Sequence, residues 1–358
     1  MTKKRTFKSA LSEHQGVNDP EMTDQSSIDS IKSKRLVLPT TKDLVTGILN
    51  GNITDLSRAI TLIESQNPDH LQRAEAIINQ CLPHANESIR IGITGVPGVG
   101  KSTFIEAFGK HLTSEGKKVA VLAIDPSSTI TKGSILGDKT RMEDLVKDKN
   151  AFIRPSPAAN SLGGVARKTR ETIILCEAAG FDTIIIETVG VGQSETAVHS
   201  MVDFFLLLKL AGAGDELQGI KRGIMEMADT IAINKADGDN LKAAKLAKVE
   251  FGRALHLYPS KDSKWQPRVV ICSAYENTGI IEIWKIIEEY GSSMKTSNFF
   301  YKKRKEQNKY WLMQTIEERL RANFFNNKAI KMELKNQLLL IEENKTTPFA
   351  AAEKLLNL

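Results

Sequence analysis

The sequence predicts an α/β fold with a mostly parallel, doubly wound sheet, and three observations predict it. From Ile89 to about Tyr290, short apolar runs alternate with amphipathic helical stretches, a pattern that builds parallel sheets. A glycine-rich turn, Gly95-Val96-Pro97-Gly98-Val99-Gly100-Lys101-Ser102, joins the first apolar run to the first of these helices. Polar and charged residues stand directly after several of the runs, at the carboxyl ends of strands where such sheets bind ligands.

The elements follow in order. Residues 1–35 are polar, with little to bury, and are expected to form a disordered tail. The acids Glu13, Asp19, Glu21 and Asp24 argue against a transit peptide. Residues 36–88 form an expected N-terminal helical extension. There Leu44, Ile48, Leu56, Ile60 and Ile63 recur at helical spacing, Asn52 to Asp55 supply a turn and a cap, and a third helix covers Leu71 to Cys81. A nucleotide-binding domain is expected over 89–295. Its strands are placed at 89–94, 119–124, 183–187, 203–208, 230–234 and 268–273, and its helices around 103–114, 166–179, 240–255 and 280–290. A C-terminal helical extension is expected over 296–358. One helix carries the stripe Leu312, Ile316, Leu320 and Phe324, and a second carries Met332, Leu334, Leu338, Leu339 and Ile341. These stripes fit either packing on the chain's own core or a dimerisation arm.

Composition bounds the function. The hydrophobic share of 41% and charged share of 26% are ordinary for a globular protein. No apolar run approaches the ~20 residues of a membrane span, so no membrane role is expected. The net charge of +6 owes much to terminal segments such as Lys302-Lys303-Arg304-Lys305. Without an aromatic-interleaved basic motif, no nucleic-acid partner is expected. Cys81, Cys176 and Cys272 lie far apart in apolar settings, the pattern of buried, reduced thiols in a cytoplasmic protein.

The chemistry sits after the strands. Gly95 to Ser102 is a phosphate-binding P-loop. Gly95, Gly98 and Gly100 let the backbone amides, including those of Val99 and Thr103, curl around a phosphate chain at a helix N-terminus. Lys101 reaches the β- and γ-phosphates, and the Ser102 hydroxyl ligates Mg²⁺. Asn234-Lys235-Ala236-Asp237 ends a later strand and matches the guanine-recognition pattern. The Asp237 carboxylate accepts from the N1–H and the exocyclic amine of guanine, donors that adenine lacks, so GTP is expected over ATP. Ser273 and Ala274 match the backbone element that meets the guanine oxygen. Glu187-Thr188-Val189-Gly190 occupies the switch II place, where a carboxylate serves Mg²⁺ and the Gly190 amide senses the γ-phosphate. Asp125 and Asp138 each fit either a Mg²⁺ or water-positioning role or ordinary turn and cap chemistry. Arg141 and Arg170 are arginine-finger candidates by charge alone.

Six stretches occur in order, starting at Gly95, Asp125, Gly133, Glu187, Gly212 and Asn234. They are Gly-Val-Pro-Gly-Val-Gly-Lys-Ser, Asp-Pro-Ser-Ser, Gly-Ser-Ile-Leu-Gly-Asp-Lys-Thr-Arg-Met, Glu-Thr-Val-Gly-Val-Gly-Gln-Ser-Glu, Gly-Ala-Gly-Asp-Glu-Leu-Gln-Gly-Ile-Lys and Asn-Lys-Ala-Asp. Together they closely resemble the MeaB/ArgK family of methylmalonyl-CoA mutase-associated G-proteins, over about residues 40–290. The resemblance implies a SIMIBI-type P-loop GTPase, usually homodimeric, that gates adenosylcobalamin loading and protects an acyl-CoA mutase. It implies Mg²⁺ and switch I roles for Asp125 and Asp138, a switch II role for Glu187, and a third switch at about 212–223. Adenosylcobalamin is expected only through the partner mutase. Lys132, where the family usually has Gly, and Ala211, where Pro is common, depart from the pattern. The competing readings are a nickel-insertion GTPase, which predicts His/Cys clusters, and an ATP-using kinase linked to basic amino-acid transport.

Overall fold

In the computed structural model, which describes residues 39–65, 67–85, 88–124, 142–155, 162–188, 194–212 and 222–358, the alternating runs become a seven-stranded parallel sheet. Its strands are β1 (Ile89–Gly95), β2 (Val119–Ile124), β3 (Ala151–Arg154), β4 (Thr183–Thr188), β5 (Phe204–Leu210), β6 (Thr230–Asn234) and β7 (Arg268–Ile271). Their spatial order is β3-β2-β4-β1-β5-β6-β7, and every pairing is parallel. Strand β3 is the strand the sequence pattern missed, and the short helices at Ser194–His199, Arg222–Met227 and Pro348–Leu356 were not placed either. Strand β3 has four residues, of which only Phe152 is fully buried, too little signal to separate it from a loop.

The strands are apolar on both faces because both faces are covered. On β4, Ile184 and Ile186 face one core and Ile185 the other, the period of two that a strand dictates. The first core is closed by α1 (Thr41–Leu49), α2 (Ile53–Glu64), α3 (Pro68–Cys81), α5 (Leu162–Ala178) and α6 (Ser194–His199). The second is closed by α4 (Lys101–Ser114) and α9 (Ile280–Thr296). A third, smaller core lies under α7 (Arg222–Met227) and α8 (Leu241–Leu255).

The expected N-terminal apolar spacing is all core: Leu44, Ile48, Leu56, Ile60 and Ile63 are buried. Asn52 caps α2, its side chain accepting from the amides of Thr54 and Asp55. Residues 41–358 make one compact unit. The expected tail at 1–35 lies outside the described residues.

The C-terminal segment forms α10 (Phe299–Asn326), α11 (Lys328–Glu342) and α12 (Pro348–Leu356). The face of α10 that packs is Phe300, Arg304, Gln307 and Trp311, one step around from the stripe read in the sequence. Leu312, Ile316 and Leu320 of that stripe are exposed, Leu320 at 64%, so they do not pack on the chain's own core.

The packed face of α10 meets the amino-terminal edge of the sheet through a buried charge network. Arg304 donates to Asp203 through Nε (2.9 Å) and Nη2 (2.7 Å), and Nη2 also reaches the Ser88 carbonyl. Arg90 donates to both oxygens of Glu177 at 2.9 Å, and Ser88 donates to the same carboxylate. The Arg90 amide donates to Asp203. Burial would push the Asp203 carboxyl up, but the charges and hydrogen bonds of Arg304 and Arg90 outweigh it and hold it below its ordinary value. Gln307 and Trp311 donate to the carbonyls of Val202 and Ser200. Helix α10 thus grips the segment that joins α6 to β5.

Candidate nucleotide site

The site is assembled where β1, β4 and β6 end. Strand β1 stops at Gly95, and α4 starts at Lys101, so the P-loop lies between a buried strand and a helix N-terminus. Glycine is required at two positions. A Cβ on Gly95 would sit 2.6 Å from the Leu208 carbonyl oxygen of the neighbouring strand. Gly100, at φ +90°, would place a Cβ 2.9 Å from Nδ2 of Asn234. Lys101 is buried, and its Nζ donates to the Gly95 carbonyl (2.8 Å) and the Val96 carbonyl (3.3 Å). Ser102 stands half-buried in the first turn of α4, and Thr103 is exposed beside it.

Glu187 is buried near the end of β4, in register with Ile93 of β1 and Ala123 of β2. The next residue, Thr188, donates its hydroxyl to Thr94 at 2.8 Å, tying the end of β4 to the strand that feeds the P-loop.

The Asn234–Asp237 segment is a bracket between two loops. Asn234, 1% exposed, donates through Nδ2 to the Val99 carbonyl at 2.9 Å. Its Oδ1 accepts from the Ala274 amide at 3.3 Å and the Cys272 thiol at 3.6 Å. One side chain therefore holds the P-loop and the Ser273–Ala274 loop together. Lys235 adopts φ +58° and reaches back so that Nζ donates to the Gly98 carbonyl at 2.9 Å. Asp237 accepts a hydrogen bond from the Ser273 hydroxyl. These residues and Gly100, Thr103, Ala274 and Tyr275 line a cleft of about 250 Å³.

Several expectations fall elsewhere. Asp125, Asp138, Gly190, Arg141 and Lys132 lie outside the described residues, as does most of the third switch, 213–221. Arg170 corrects the charge-based expectation of an arginine finger. Its guanidinium bonds Asn308 and lies over the Trp311 ring of α10. Burial lowers its pKa to about 10, and the charges it senses are Arg90, Glu177 and Arg304, at the opposite end of β1 from the P-loop. The sequence reading also passed over Tyr275; a lone aromatic after Ser273–Ala274 gives no motif, and only the cleft reveals it.

Oxygen donors dominate the strand ends. The Ser102 hydroxyl and Glu187 carboxylate are hard ligands of the kind Mg²⁺ takes. Among the described residues no three His, Cys, Asp or Glu side chains cluster to hold a metal. No helix among them is long and apolar enough to cross a membrane.

The family description "Methylmalonyl Co-A mutase-associated GTPase MeaB" matches residues 56–329. The chain is 46% identical over 305 residues to the GTPase ArgK of Escherichia coli, covering 85% of this chain and 92% of that one. It is 43% identical over 323 residues to the mitochondrial methylmalonic aciduria type A homolog of Mus musculus, covering 87% and 78%. A solved structure described as an LAO/AO transport system kinase superposes with a TM-score of 0.73 at 39% identity, over 90% of this chain and 98% of that one. With the P-loop, the guanine-type cleft and these matches in place, the chain belongs to the MeaB family of methylmalonyl-CoA mutase-associated P-loop GTPases.

Proposed function

We propose that this chain binds GTP with Mg²⁺, hydrolyses it to GDP and phosphate, and serves as a cytoplasmic G-protein chaperone for an adenosylcobalamin-dependent acyl-CoA mutase, by default methylmalonyl-CoA mutase. The observation that carries the nucleotide is the Asp237 carboxylate, fixed by Ser273 at the wall of the cleft. It is aimed where a purine edge bearing two N–H donors would satisfy it.

In this reading Lys101 and the amides of Gly98, Val99, Gly100, Ser102 and Thr103 neutralise charge that grows on the β- and γ-phosphate oxygens. Lys101 leaves its two loop carbonyls for the phosphates when nucleotide enters. Ser102, Glu187, Asp125 and Asp138 would hold the Mg²⁺ and its waters, and Gly190 would sense the γ-phosphate. Bound Mg²⁺ supplies charge neutralisation at the same oxygens. The mutase partner rests on the family description and on the name of the mouse relative. Homodimerisation rests on the exposed stripe of α10, which a second copy would cover.

Two experiments test the reading. Steady-state GTP hydrolysis is measured on the chain alone and titrated with methylmalonyl-CoA mutase. A slow basal rate that rises and saturates is expected, and a rate indifferent to the mutase removes that partner. Separately, Asp237→Asn replaces an acceptor by an amide, which suits the 2-oxo group of xanthine. Binding is expected to switch from GDP to xanthosine diphosphate, with GDP weakened by at least about a hundredfold. Unchanged GDP affinity would remove Asp237 from base recognition.

A further inference from the structure

One exposed aromatic stands at the mouth of the nucleotide cleft. Tyr275 is 87% exposed, yet it lines the same cleft as Asp237 and Lys235. Among the described residues its hydroxyl has no hydrogen-bond partner, and the ring is placed where a planar ligand in the cleft would meet it.

The loop that carries it is rigid. Ser273 and Thr278 exchange both backbone hydrogen bonds at 3.0 Å, closing a short antiparallel bridge around Tyr275. Gly279 ends the loop at φ +75°, where a Cβ would sit 2.4 Å from the Ile271 carbonyl. The Ala274 amide is held by Asn234. The Ser273 hydroxyl donates to Asp237 and accepts from the Glu276 amide at 3.1 Å. One hydroxyl therefore fixes both the carboxylate that reads the base edge and the loop that presents the ring. Lys235, anchored to Gly98 by its Nζ, lays its alkyl stem along the same cleft.

We propose that Tyr275 is the stacking wall of this cleft, its ring covering one face of a purine base while Asp237 takes the base edge. The proposal deepens the guanine-nucleotide reading and rests on it for the identity of the base. Base–aromatic stacking is indifferent to the hydrogen-bonding edge, because every base has a π-face. Tyr275 therefore sets affinity and Asp237 sets which purine is chosen. The bonded loop fixes the backbone that carries Tyr275, so binding has to order only the ring's own rotamers.

The test is equilibrium binding of GDP and ADP to the full chain and to Tyr275→Ala and Tyr275→Phe. Tyr275→Ala is expected to weaken GDP by at least about fivefold, and Tyr275→Phe to stay within about twofold of the parent. The preference for GDP over ADP is expected to be the same in all three proteins. Parent-like GDP binding by Tyr275→Ala would overturn the proposal, as would a Tyr275→Phe loss equal to that of Tyr275→Ala, since the ring face would then not be what matters. A parent chain that prefers ADP would instead overturn the guanine reading. The comparison between the variants would still be read on ADP, because stacking does not depend on the edge. The exposure of Tyr275 means that neither variant disturbs the core, which a thermal melt checks.

Discussion

Lys101→Ala is expected to lower the single-turnover rate of GTP hydrolysis by about 10²–10³-fold, or roughly 3–4 kcal/mol of transition-state stabilisation. The lysine is buried at the first turn of α4, and its ammonium already sits among the P-loop carbonyls of Gly95 and Val96. The fold thus holds the cation against the P-loop rather than leaving it in solvent. Lys101→Arg is expected to fare almost as badly. A planar guanidinium is larger and differently hydrated, and it cannot copy a point charge between two carbonyls. The measurement is hydrolysis of a stoichiometric amount of GTP, with a thermal melt to show that the fold survives. A Lys101→Ala rate within tenfold of the parent would remove Lys101 from the chemistry.

Arg304→Ala is expected to destabilise the chain by about 3–5 kcal/mol, the usual cost of removing one partner from a buried ion pair. The variant leaves Asp203 fully buried and the Ser88 carbonyl without its Arg304 donor. Urea unfolding followed by circular dichroism reads the loss. Replacing both charges, Arg304→Met with Asp203→Leu, is expected to cost much less than the single change, because no uncompensated charge remains. The pH dependence follows from the carboxyl. In the parent, the depressed Asp203 value contributes stability that is present above the unfolded carboxylate range and is lost as pH falls through the folded value. Without Arg304, burial works against less opposition, the folded value rises, and acid unfolding begins at a higher pH. An Arg304→Ala midpoint equal to the parent's would show that the network does not hold α10.

How far the sequence carried these conclusions varied by element. The strands that feed the site were legible because each is mostly apolar, as a strand covered on both faces is, with Arg90 the one charged interruption in β1. The P-loop and the Asn234 motif were legible because their residue types admit few other uses beside a strand end. Two things were hidden. Strand β3 is short and at the sheet's edge, so neither length nor periodicity marks it. The packed face of α10 is half polar, Arg304 and Gln307 beside Phe300 and Trp311. A search for apolar stripes therefore chose Leu312, Ile316 and Leu320 instead, the residues left exposed. The same blindness attached Arg170 to catalysis on charge, although its partners lie on α10. Long-range polar pairing carries no local period, and only the folded arrangement displays it.

The Arg304–Asp203 pair also sets an order of events during synthesis. Asp203 and the guanidinium that neutralises it are separated by 101 residues. At ribosomal speeds of about 5–20 residues per second, the acid waits roughly 5–20 s for its partner. Every strand of the sheet has by then been translated, since β7 ends at Ile271. The nascent sheet therefore passes through an interval in which its strands are complete but two acids at its base, Asp203 and Glu177, have Arg90 and Ser88 beside them and still lack Arg304. A chain truncated before Arg304 is held in that interval permanently, and it is expected to be recovered as a protease-sensitive species rather than as a smaller working GTPase.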